Sequence, residues 1–192
     1  MSMPGDPGAA SETAWIGEVL RFWFEELAPD AWFKRDDAVD QVIRQRFFGL
    51  LTEIAARPPD PAPATARHAL ATVIVLDQFA RNMFRGTAAA FANDPAAIRV
   101  SKSALARGDD LTLDTYGRLF LYLPFEHSED AADQVRSLAL IGALGDPQLT
   151  GFAEAHKRII DRFGRFPHRN QALGRLSSPE ELTFLSGPNS SF

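Results

Sequence analysis

The chain contains no cysteine in its 192 residues. That absence excludes disulfides, thiolate nucleophiles and cysteine-held zinc or iron–sulfur centres, and it fits a reducing, cytoplasmic compartment. Long apolar runs are missing too. The longest stretch, around Ala69 to Leu76, falls far short of the about 20 residues needed to span a bilayer, so no membrane partner is expected. Met1 to Ala10 are rich in proline and glycine without the basic and apolar regions of an export signal, and read as a disordered lead-in. No segment alternates like a half-buried strand, and no hairpin dipeptide joins two β-like runs. A regular repeat of roughly 34 residues is also lacking. Finally, the formal charge of −5 offers no general basic surface for nucleic acid.

What remains is a helical pattern with ample bulky material, 45% hydrophobic residues including 15 Phe and 3 Trp. It predicts one all-α domain over residues 11–187, with 188–192 as a loose tail. A first helix from Ser11 to Leu27 carries Ile16, Val19, Leu20, Trp23 and Leu27 on one stripe. Asp36 is the expected N-cap of a second helix running to Ala56, with Val39, Ile43, Phe47, Leu50 and Ile54 inward. Residues 57–64, with four prolines, form a loop. The third helix, Thr65 to Phe84, is so apolar that it should be the central one. Asp94-Pro95 and Asp146-Pro147 read as N-cap and first helical residue of helices closing at Gly108 and Gly164. Between them lie a helix from Leu113 to Leu123 and another from Ser128 to Leu144. Ser178-Pro179-Glu180-Glu181 is a capping box opening a terminal helix. Short connections of this kind suit antiparallel helical pairs, arranged either as a compact bundle or as a solenoid-like array.

Three polar motifs interrupt this pattern. In Asp77-Gln78-Phe79-Ala80-Arg81-Asn82, Asp77 continues a buried stripe and needs a partner, for which Arg81 is four residues away. In Pro124-Phe125-Glu126-His127-Ser128-Glu129-Asp130, proline ends one helix, Ser128 caps the next, and Glu129 and Asp130 favour its first turn. That leaves Glu126 and His127, the material of acid–base chemistry, without a structural role. In Arg162-Phe163-Gly164-Arg165-Phe166-Pro167-His168-Arg169-Asn170, a left-handed Gly164 and a stiff Pro167 define a turn that presents Arg165, His168, Arg169 and Asn170 together. Those groups can hold a carboxylate or phosphate, or they can cap neighbouring helix ends. From Lys157 to Arg175 six basic residues stand against the single acid Asp161, either as a local anion site or as solvated arginines. His156 falls on the apolar face of its helix and reads as a satisfied core or boundary histidine, His68 carries no signal, and Phe22-Trp23-Phe24 with Trp32-Phe33 read as packing. No His-x-x-x-His or similar ligand spacing is present, so neither metal nor cofactor is expected.

These three motifs, with Phe22-Trp23-Phe24 and Trp32-Phe33-Lys34, resemble the bacterial domain-of-unknown-function 924 family over nearly the whole chain, to Glu181. Ala80 stands where that family usually has proline. The resemblance implies an all-helical, tetratricopeptide-like fold and no activity.

Two functional expectations follow, beside a third in which the motifs only staple helices in a scaffold. In the first, Gln78, Arg81, Asn82, Arg165, Arg169 and Asn170 hold a small anionic molecule or peptide terminus in one pocket. In the second, His127 or His168 is a general base oriented by Asp77 or Glu126 in a hydrolase of a small anion.

Overall fold

The computed structural model describes residues 7–57, 63–188 and 190. Residues 1–6 of the expected lead-in, 58–62 of the proline-rich loop, and 189, 191 and 192 of the expected tail lie outside them. Every regular element among the described residues is helical.

Helix α1 spans Pro7–Arg21, beginning earlier than the expected Ser11, and passes into a π-helical turn, Phe22–Glu26. Ile16, Val19, Leu20 and Trp23 are buried as the stripe predicts. Helix α2 (Asp37–Ala56) starts at the expected cap, where the Asp36 carboxylate accepts from the N–H groups of Ala38 and Val39 at 2.8 and 3.2 Å. It buries Ile43, Phe47 and Leu51, with Leu50 only half-buried.

The third helix is one continuous run in three pieces: α3 (Ala66–Val73), a π-helical segment (Ile74–Phe79) and α4 (Ala80–Met83). Residues 69–80 are all buried. This run packs against α1, α2 and two later helices, α5 (Asp94–Arg107) and α6 (Thr115–Glu126). A helix enclosed on so many sides makes a compact bundle, and the nearly all-apolar run of residues 69–76 is what such a position demands. Aromatic rings fill the space around it. Phe79 stacks on Phe47 at 4.6 Å between centroids and meets Trp23 edge-on at 5.6 Å, while Trp23 meets Phe120 at 5.4 Å.

The second half stacks successive helices, α6 on α7 (Ala131–Gly142) and α7 on α8 (Pro147–Phe163). Asp146 caps α8, and the Ser178 capping box opens α9 (Pro179–Leu185), both as predicted. Gly164 ends α8 at φ +68°, the left-handed conformation that costs glycine least.

Three local expectations are corrected. Pro124 does not end α6 but lies inside its last turn, and the helix continues to Glu126. The N-cap of α7 is Asp130, accepting from Ala132 and Asp133 N–H, while the Ser128 hydroxyl donates to the Asp133 carboxylate at 2.9 Å. Asp94 is the first residue of α5 rather than its cap. Two arginines claim its carboxylate instead, since a charged partner outcompetes a backbone N–H.

Candidate functional site

The three polar motifs converge on one hollow of about 640 Å³. The π-helical segment and α4 supply the first, the α6–α7 corner the second, and the turn after α8 the third.

Asp77 is fully buried. Its carboxylate takes His127 Nδ1 at 2.9 Å, Arg81 Nη1 at 2.8 Å and Gln78 Nε2 at 2.5 Å. Burial alone would raise the carboxyl, but Arg81, His127 and Gln78 together hold it well below the usual carboxylate range. Arg81 also binds Asp94 through both Nη atoms, at 3.0 and 3.1 Å. Arg169 reaches the same Asp94 at 3.1 Å and donates to the His127 carbonyl at 2.9 Å. Its guanidinium lies over the rings of Phe91 and Phe166, at 4.7 and 4.6 Å. Burial, then the neighbouring Arg81, lowers Arg169 to about 10.

The α6–α7 corner is held by Gln134, whose amide donates to the carbonyls of Glu126 and Ser128, each at 2.7 Å. Glu126 and His127 are thereby fixed at the wall of the hollow. Burial, and then the Asp77 charge, pushes Glu126 up to about 8. His156 on α8 lies beside it, with Nδ1 3.2 Å from Glu126 Oε1 and 2.9 Å from the Phe152 carbonyl. A carbonyl only accepts, so His156 Nδ1 carries the proton. Desolvation lowers all three imidazoles: His127 through burial and Arg81, against the opposing pull of Asp77, His156 to about 3 through burial and His127, and His168 to about 4 through burial and Arg169.

Of the groups singled out in the sequence, Gln78, Arg81, Asn82, Glu126, His127, His168 and Arg169 line the hollow. Asp77 stands directly behind His127. Arg165 and Asn170 are not among the lining residues. Arg165 grips Glu181 through Nε and Nη2 at 2.7 and 2.8 Å, and Asn170 binds Ser177, Glu181 and Arg175. They brace the turn against α9. Glu129 ties the same turn to the α6–α7 corner, accepting from Arg175 at 2.7 and 2.9 Å and from the Phe166 N–H at 2.8 Å.

The Glu181 brace carries a pH signature. Arg165, then the Ser178 N–H, lower Glu181 to about 2 from an ordinary value near 4.5. A depressed carboxyl stabilises the fold above its unfolded value, and that contribution is lost as pH falls through the folded one. Denaturation midpoints should therefore drop between about pH 5 and pH 2, and Glu181→Gln should flatten that limb while lowering stability at pH 7. An unaltered acid limb in the variant would contradict this role.

Comparison with known proteins places the chain. Residues 19–189 match the family model described as bacterial protein of unknown function (DUF924). The chain belongs to the DUF924 family. A solved structure of a protein of unknown function from Agrobacterium tumefaciens is 41% identical, with a TM-score of 0.85, covering 91% of this chain and 98% of that one. No curated protein matches. Among the described residues no helix is long and apolar enough to cross a membrane.

Sequence reasoning missed several residues of this DUF924 hollow. His156 had a signal: an imidazole on the apolar face of α8 is a buried polar group that must find partners. Trp32 and Phe33 were read as packing, and Trp32 does pack on Phe120 at 5.1 Å. Both also line the hollow, with Phe33 60% exposed. Phe91, under the Arg169 guanidinium, had no signal at all.

Proposed function

We propose that the chain is a cytoplasmic binding protein whose hollow takes a small amphipathic organic anion. One observation carries this reading: the lining combines guanidinium and imidazole groups with aromatic and aliphatic side chains. Arg81, Arg169, His127, His156 and His168 sit with Gln78 and Asn82 on it, and Trp32, Phe33, Phe91, Leu119, Leu123, Leu149 and Phe152 supply its apolar part. The carboxylates that neutralise the arginines, Asp77 and Asp94, stand behind that lining rather than in it. A ligand thus meets both N–H donors and ring and aliphatic surface, the usual composition of a small-molecule site. Arginine suits the anionic end because its forked donors match a carboxylate.

Calorimetric titration with a series of aliphatic and aryl carboxylates, each beside its matched alcohol, tests the reading. Single-site binding is expected, with the alcohol weaker by about tenfold or more, since a charge-assisted hydrogen bond contributes roughly 1.5–3 kcal/mol. Arg169→Met should weaken carboxylate binding by a similar factor and leave the alcohol unaffected. Equal affinities for acid and alcohol, or an unchanged response in Arg169→Met, would overturn it.

A further inference from the structure

Glu126, His127 and His156 each bring a donor atom to one place, and these atoms lie within 4.8 Å of one another. Three ligands about 2.1 Å from a common ion lie about 3.4 Å apart in tetrahedral geometry, so closing the trio takes at most about 0.8 Å from each side chain. The remaining ring nitrogens are committed in a telling way. His156 Nδ1 donates to the Phe152 carbonyl, and His127 Nδ1 donates to the Asp77 carboxylate. Each imidazole therefore keeps its lone pair on Nε2. Metal-binding histidines almost always hand their other N–H to a backbone carbonyl or a carboxylate, which fixes the tautomer and raises ligand basicity. Both histidines here do so, one in each manner.

We propose that Glu126, His127 and His156 form a binding site for a divalent first-row transition-metal ion of the zinc class, open toward the hollow. Two imidazole nitrogens and one carboxylate suit such an ion better than magnesium or calcium, which prefer all-oxygen sets. Three protein ligands leave a coordination position free, as in catalytic rather than structural sites. His127 Nε2 is then a ligand and not a general base. The ion would also add positive charge that an organic anion entering the hollow would meet. The site does not rest on the anion-binding reading, and its test uses no organic ligand.

Metal-stripped protein is titrated with Zn²⁺ against a competing chelator, with Co²⁺ as a spectroscopic substitute and Mg²⁺ as control. One Zn²⁺ per chain is expected, undisturbed by Mg²⁺, and Co²⁺ should show visible d–d bands. Glu126→Gln and His156→Gln should each weaken Zn²⁺ binding by at least about tenfold, and Asp77→Asn by about 10- to 100-fold through its hold on His127. Should a variant fail to fold, the wild-type protein still decides. Zn²⁺ must shift the ring signals of His127 and His156 in a nuclear magnetic resonance spectrum and leave those of His68 in place. The proposal is overturned if the wild-type chain binds no such ion, if bound Zn²⁺ leaves both rings unmoved, or if the folded variants bind as the wild type does.

Discussion

Asp77→Ala is expected to destabilise the fold by about 3 kcal/mol, lowering the melting temperature by roughly 10 °C for a chain of this size. The cost comes from what the carboxylate leaves behind. Arg81, Gln78 and His127 all direct donors at it, from a position with no access to water. Removing one partner of a buried ion pair costs about 3–5 kcal/mol because the other charge stays desolvated. The low end applies here, since Arg81 keeps both of its contacts with Asp94. Asp77→Asn, which retains shape and an acceptor oxygen, should lose less. Thermal unfolding of the two variants checks this, and an Asp77→Ala protein as stable as the wild type would show that the cluster contributes nothing to the fold.

Phe79→Ala should be costlier still, at about 4 kcal/mol. The ring is fully buried in the central helical run and touches Phe22, Phe47 and Trp23. Deletion removes its transfer free energy and leaves a cavity that three other rings cannot readily collapse into. Urea denaturation should show a lower midpoint with an unchanged slope, because the surface exposed on unfolding is nearly the same. A loss under about 1 kcal/mol would mean that the core repacks around the void. Phe79 adjoins Asp77 and Gln78 on the same π-helical segment, so the ring also fixes how that segment presents its polar face.

Much of the fold was legible because its signals are local. Asp36, Asp146 and Ser178 cap helices where their spacing to the following residues predicts, and the apolar run of residues 69–76 marks the central helix. Local reading failed where several caps compete or a distant partner wins. Ser128 and Asp130 both have cap chemistry, and Asp130 takes the role while the Ser128 hydroxyl donates to Asp133. Asp94 is lost to Arg81 and Arg169, one thirteen and the other seventy-five residues distant.

The candidate site shows the same division. That Asp77 needs Arg81 follows from helical spacing, but that it also holds His127, fifty residues on, follows only from packing. Arg165 and Arg169 are four residues apart in one turn, and nothing in the sequence says that the first faces α9 while the second enters the hollow. His156 was placed on the correct face of α8, yet the face proved to border a polar site as well as the core. The tight spacing that marks many metal motifs is absent because His127 and His156 come from different helices.

The central claim is that histidines from three separate stretches share one ligand-bearing hollow. It is tested most directly by following all four histidine side chains by nuclear magnetic resonance while a carboxylate identified by calorimetry is added. The ring signals of His127, His156 and His168 should move together along a single binding isotherm, with His68, packed edge-on against Trp15, unmoved. Shifts that follow different isotherms, or no shifts at all, would contradict it.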